Sequence, residues 1–252
     1  MSAPGDRWLL DLGNSRLKVA ALDAHGRRGG MFAITNDDRD ALPMLLEHLG
    51  PVRGAGHAWL ASVATPMRTA AVEAALREAG FAVHRVRTQA SCGRLRIAYA
   101  DPARLGVDRF LALLGASQRD DGPWLLVSAG SALTVDLLGA DGMHAGGLIA
   151  PMPETMRAAL ADRFVQLDVG PGVATEFAAD TADAVASGCA GAALGLVERS
   201  LRQAQRRLGV APTLLVAGGG ADLFTALDHV PMHVTPTLVL DGLAAFALGQ
   251  GG

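Results

Sequence analysis

The sequence predicts an α/β chain made of two similar halves, and two observations carry that reading. First, over residues 8–86 short apolar runs of strand type alternate with stretches of helical periodicity, the mark of the α/β class. Second, LLDLGNSRLKVAALDAHG, starting at Leu9, returns as LLVSAGSALTVDLLGADG, starting at Leu125. With Gly13 laid on Gly130, Leu9 and Leu10 fall on Leu126 and Val127, Asn14 on Ser131, and Asp11 on Ser128. Both copies run on into an apolar strand. A repeat at this period predicts two related domains, each bringing a glycine hairpin to a shared cleft. The turn chemistry at residues 120–123 places the boundary, giving domains 1–119 and 120–252.

Each element follows in order. Residues 1–7 read as a loose leader. Trp8, Leu9 and Leu10 begin a strand with Asp11 near its end, and Gly13, Asn14 and Ser15 supply a tight turn. Leu17, Val19 and Ala21 then alternate with Arg16, Lys18 and Ala20, so the chain returns as a hairpin. Residues 31–35 form a third strand. Asn36 reads as a helix cap, with Asp37 and Asp38 in the first turn, before Leu42, Leu45, Leu46 and Leu49 at helical spacing; Gly50 ends the run, and Pro43 sits past the first turn. Residues 58–62 are a strand. Thr65 and Pro66 open the next helix as cap and first position, and Gly80 closes it before a strand at 81–86.

Residues 87–104 are irregular and carry Arg94, Arg96, Tyr99 and Asp101; a stretch of that kind is often functional. Gly106, Val107, Asp108 and Arg109 then lead directly into a helical run. In the second half, the hairpin is followed by a strand at 144–151 with Gly146 and Gly147 at its entrance and a helix at 153–164. A polar loop at 165–180 and a long helix of small residues at 181–207 come next. A strand at 213–217 ends in Gly218, Gly219 and Gly220, and a final helix spans 237–248.

Composition narrows the function. Half of the 252 residues are hydrophobic, enough for two compact domains or one large one. A net charge of −3 with aromatics at 4% leaves no basic, stacking surface, so no nucleic-acid partner is expected. No apolar run is long enough to span a membrane and no signal peptide is apparent. Cys92 and Cys189 stand far apart without a CxxC, which fits a reducing, cytoplasmic setting. GxxxxGK[ST], GxGxxG, HExxH and GxSxG are all absent, which excludes a P-loop and argues against a dinucleotide fold.

Three features remain that could carry chemistry. The Asp11 hairpin offers backbone N–H groups suited to phosphate oxygens, a carboxylate suited to magnesium and a lysine; alone it could equally be a connecting hairpin. Asp108 and Arg109 stand side by side at a helix start, as either a capped surface ion pair or a base with an anion-binding guanidinium. The clusters Gly146–Gly147 and Gly218–Gly220 could lie flat on a nucleotide, or be ordinary turns.

Taken together and in this order, DLGNSRLK, LGVDR, GSALTVD with HAGGLIAP, and TADAVASG from Thr181 resemble the type III pantothenate kinases. That family belongs to the group of acetate kinase, sugar kinases and actin-like ATPases, and the resemblance spans nearly the whole chain. It implies two ribonuclease-H-like domains related by duplication, and transfer of the ATP γ-phosphoryl group to pantothenate, the first step toward coenzyme A. It implies that Asp11, Gly13, Asn14, Ser15 and Lys18 hold ATP and its Mg2+, with Ser131 also on the nucleotide. Asp108 is implied as the base, and Tyr99, Gly106, Val107, Asp108, Arg109 and Thr181 as pantothenate contacts. A homodimer is implied, as is a monovalent cation, K+ or NH4+. Ser128 departs from the aspartate that many members use for that cation, which puts the cation in question. Two alternatives stay open: a non-catalytic regulatory relative, and a kinase for another small hydroxyl substrate.

Overall fold

The computed structural model describes residues 7–36, 38–52, 54–119, 122–167 and 169–249. The expected leader up to residue 6, Asp37 in a first helical turn and residues 120–121 of the boundary turn lie outside the described residues. The chain forms two compact units. The first holds residues 1–120 together with 141–144 and 237–252; the second holds 121–140 and 145–236.

In the first unit, β1 (Arg7–Leu12), β2 (Arg16–Leu22) and β3 (Arg28–Thr35) make an antiparallel meander. Helix α1 (Ala41–Leu49), β4 (Gly56–Ser62), α2 (Pro66–Glu78) and β5 (Phe81–Arg85) then add two parallel strands. The sheet order is β3-β2-β1-β4-β5. Thr65 caps α2, its hydroxyl accepting from Arg68 N at 3.3 Å, with Pro66 behind it. A short ribbon, β6 (Ser91–Cys92) with β7 (Leu95–Arg96), orders the stretch expected to be irregular, and α3 (Val107–Ser117) follows a 3-10 turn at Pro102–Arg104.

The second unit repeats the plan. Strands β8 (Trp124–Ala129), β9 (Ala132–Leu138) and β10 (His144–Pro151) lead to α4 (Pro153–Arg163) and α5 (Thr181–Leu208), then β11 (Thr213–Ala217) and β12 (Met232–Val234); α6 (Leu238–Gly249), which follows in the chain, belongs to the first unit. The sheet order, β10-β9-β8-β11-β12, matches the first position for position, with β8–β9 antiparallel and β8–β11 and β11–β12 parallel. Strand β12, three residues long, had no signal in the sequence.

Alternation along the strands decides which residues each face offers. In the first sheet Trp8, Leu10, Leu12, Leu17, Val19, Ala58 and Leu60 form one core with Leu45, Leu49, Val72 and Leu76 of α1 and α2. Leu9, Asp11, Lys18 and Ala20 therefore point to the other face, where α3 and α6 pack. Those two helices meet backbone to backbone. A methyl group at Gly242 would strike the carbonyl oxygen of Leu111, and one at Gly115 would lie 2.6 Å from the carbonyl oxygen of Leu238. This explains why α6, last in the chain, groups with the first unit.

Candidate active site

The site is built on the open end of β1 and β2. Asp11 and Lys18 are cross-strand partners in the antiparallel ladder, so a carboxylate and an ammonium share one face of the sheet. Asp11 is buried, and burial is the main reason its pKa rises to about 6; Lys18 pulls the other way, while the carboxylate of Asp108 adds to the rise. Asp108 thus acts on Asp11 through space, although 97 positions separate them in the sequence (108 minus 11).

Asp108 stands in the first turn of α3, whose N-cap is Gly106. Its Oδ1 accepts from the backbone N–H of Arg109 at 2.8 Å and lies against Gly106, where a Cβ would come within 2.6 Å of it. A side chain at 106 would therefore displace the Asp108 carboxylate from this position. Arg109 is 5% exposed, and a buried guanidinium needs partners. One is Tyr99: Arg109 Nη1 donates to the tyrosine hydroxyl at 3.3 Å, and the guanidinium carbon stands 5.9 Å from the ring centre.

Tyr99 is held in turn by His144. Their rings stack with centres 6.1 Å apart, and His144 Nδ1 accepts from Ala98 N at 3.4 Å. The rest of the irregular stretch is fastened by Arg96 N donating to Gly142 O at 3.0 Å and Thr88 Oγ1 donating to Leu105 O at 2.8 Å. The structure thus brings together Asp11, Lys18, Tyr99, Gly106, Val107, Asp108 and Arg109 on the first unit.

The hairpin tip corrects two expectations. Gly13 N–H is not open to a ligand: it donates to Arg16 O at 3.0 Å and closes the turn. Asn36 is not a helix cap, since α1 starts at Ala41 behind Asp40. Instead its Nδ2 donates to Gly13 O at 2.8 Å and to Asn14 O at 2.9 Å, and its backbone N–H donates to Ser15 O at 2.9 Å. Arg68, on α2, also reaches Asn14 O, at 3.2 Å. Asn14 and Ser15 themselves are exposed.

The second hairpin is one residue tighter. Gly130 N donates to Ala132 O at 3.1 Å, two positions on, where Gly13 reaches three. Ser128 therefore pairs with Thr134, and Asp136 falls level with Ala20, so the ungapped repeat alignment slips after the turn. Two hydroxyls occupy the ladder position that holds Asp11 and Lys18 in the first unit. Thr134 was missed for this reason; only a one-residue gap in the repeat would have revealed it. His144 and Asn36 were missed because their contacts are made across sequence distance.

The remaining positions are on the second unit. Ser131 is exposed at the hairpin tip. Thr181 opens α5, capped by Asp180, whose Oδ1 accepts from Ala182 N at 2.9 Å and Asp183 N at 3.2 Å. Thr181 lines an open groove of about 1040 Å3 with Met156, Leu160, Phe164, Asp180 and Cys189. The glycine clusters open no α-helix. Gly146 and Gly147 lie inside β10, and Gly218–Gly220 precedes a 3-10 turn at Ala221–Ala226, with Gly220 N donating to Ala129 O at 3.0 Å. Among the described residues no group of three or more metal-ligating side chains occurs, and no helix is long and apolar enough to cross a membrane.

The family model for type III pantothenate kinase matches residues 8–203. This chain belongs to that family. The Xanthomonas axonopodis pv. citri (strain 306) protein named type III pantothenate kinase is 51% identical over 241 residues, covering 95% of this chain and 96% of that one. Among solved structures, a candidate 2-dehydro-3-deoxygalactonokinase of Sinorhizobium meliloti superposes with TM-score 0.61 at 14% identity, covering 96% of this chain and 99% of that one. The Clostridium difficile activator of 2-hydroxyisocaproyl-CoA dehydratase, solved with bound ADPNP, gives TM-score 0.54 at 12% identity, covering 97% and 94%. The last two are likenesses of fold, and they agree with the repeated sheet order.

Proposed function

We propose that this chain transfers the γ-phosphoryl group of ATP to the primary hydroxyl of pantothenate, the first step of coenzyme A synthesis. Family membership supports the reaction, and one geometric observation carries the site: Asp108 opens a helix that packs on the sheet face bearing Asp11 and Lys18, with Arg109 and Tyr99 beside it. Phosphoryl transfer asks mainly for positioning and charge neutralisation. The tip of the first hairpin, through Asn14 and Ser15 beside the turn that Gly13 closes, holds the phosphates and Lys18 offsets their charge; Ser131 is assigned as a further nucleotide contact.

The residues fit a divalent ion. Asp11 is a buried carboxylate with another carboxylate acting on it, a donor set that a cation relieves more fully than a proton does. Asp11 holds Mg2+ with the ATP phosphates, and the ion, when bound, neutralises developing charge. Asp108 accepts the hydroxyl proton of pantothenate. Arg109 binds the pantothenate carboxylate in a two-pronged contact, Tyr99 fixes that guanidinium, and Gly106 and Val107 stand beside it at the start of α3, with Thr181 assigned as a further pantothenate contact. Ser128 and Thr134 offer neutral oxygens where a monovalent cation would bind, and neutral ligands hold such an ion weakly.

The functional protein is a homodimer. Support comes from the second unit, where Phe164, Val165 and Phe177 are 54%, 92% and 95% exposed near the Thr181 groove, an apolar surface that a second copy would cover. An ADP-release assay with ATP, Mg2+ and a panel of hydroxyl acceptors tests the reaction: ADP forms with pantothenate and not with the others. ADP release with a different acceptor alone would overturn the substrate assignment, and none with any acceptor would favour a regulatory relative.

A further inference from the structure

We infer that Asn36 is a positioning residue for the triphosphate, acting by aiming the backbone of the Asp11 hairpin. The inference rests on the reading that this hairpin holds the ATP phosphates. Three consecutive carbonyl oxygens, of Gly13, Asn14 and Ser15, accept bonds from this one residue at 2.8, 2.9 and 2.9 Å. In a trans peptide the C=O and the following N–H point in opposite directions, and no residue of this turn has a cis bond. Holding the carbonyls of Gly13 and Asn14 toward Asn36 therefore turns the N–H groups of Asn14 and Ser15 the other way.

Two consequences follow for an anion. The N–H groups are presented together, as a phosphate requires. The carbonyl oxygens, whose partial negative charge would repel phosphate, are directed onto Asn36 and partly neutralised by their donors. Arg68 strengthens the second effect from α2 through its bond to Asn14 O at 3.2 Å.

The second hairpin makes a useful contrast. The residue that follows β10 is Met152, which offers no side-chain N–H or O–H and is buried against the core. Asn36, on the side of the hairpin that carries Asp11 and Lys18, therefore has no side-chain donor as its counterpart at the end of β10. Without Asn36 the tip would keep its fold through the Gly13–Arg16 bond but lose its fixed peptide orientation.

The test is steady-state kinetics of Asn36→Ala beside Lys18→Ala on the full chain. Losing preorganised hydrogen bonds of about 1–1.5 kcal/mol raises the KM for ATP roughly tenfold in Asn36→Ala. kcat at saturating ATP and the KM for pantothenate stay within about threefold of wild type. The thermal shift that Mg·ATP gives wild type shrinks as well, which a merely structural role would not produce. Should Asn36→Ala fail to fold, Asn36→Ser, which keeps one donor, is read in the same way and gives a smaller rise. A raised KM for ATP in Lys18→Ala with a normal one in Asn36→Ala and Asn36→Ser overturns the inference alone. Normal ATP parameters in Lys18→Ala as well overturn the hairpin reading beneath it.

Discussion

Asp108 raises the proton affinity of Asp11 across space, joining the start of α3 to the end of β1. Because the larger part of the shift comes from burial, Asp11 is costly to ionise in the folded chain. A pKa raised from 3.8 to about 6 means that the ionised form opposes folding, by about 3 kcal/mol at full effect. The cost is absent below the unfolded pKa, grows between 3.8 and about 6, and is complete above that. Asp11→Asn should therefore be more stable than wild type at pH 8, by roughly 2–3 kcal/mol in urea unfolding, and equal to it near pH 3.5. Equal stabilities at both pH values would remove the ionisation cost assigned to Asp11.

The same group sets a pH dependence of ligand binding. On the role proposed for Asp11 a proton competes with Mg2+ there, so the affinity for Mg·ATP should fall as pH drops through about 6. Titration with a fluorescent ATP analogue from pH 5 to 8 measures this, and Asp11→Asn should bind weakly throughout, with a flat profile.

Asp108→Asn keeps the size of the side chain and removes the carboxylate proposed as the base. Turnover should drop by about 10²–10⁴-fold, the usual worth of a general base. Nucleotide binding should persist in equilibrium titration; its loss would move Asp108 from proton transfer to phosphate or metal binding.

Tyr99→Phe deletes the hydroxyl that accepts from Arg109 at 3.3 Å and leaves the ring stacked on His144. The KM for pantothenate should rise by about three- to tenfold, the worth of one ordinary hydrogen bond, with the KM for ATP unchanged. Initial-rate measurements with each substrate varied in turn separate the two.

Activity should change little between K+-free buffer and 100 mM K+, about twofold at most, because Ser128 and Thr134 bring hydroxyls and no carboxylate to that ladder position. A strict K+ requirement in the ADP-release assay would show that the ion is held elsewhere.

Much was determined by the sequence alone. Apolar runs with period 2 and period 3.6, broken by glycine and proline, mark most of the strands and helices because those are local properties of the chain. The doubled glycine hairpin announces the duplication, and Asp11, Lys18, Asp108 and Arg109 stand out because each is charged beside a turn or helix start. The tertiary structure decided the rest. Asn36 reads as a cap locally and becomes a clamp only when β3 lies beside β2. His144 reaches Tyr99 from beyond the second hairpin, and α6 finds α3 through two glycines 127 positions apart (242 minus 115). A one-residue difference in turn length moved Thr134, not Val135, opposite Ser128. Local preference fixes which element forms; hydrogen bonds and close contacts between distant segments fix which side chains meet, and those are properties of the folded chain.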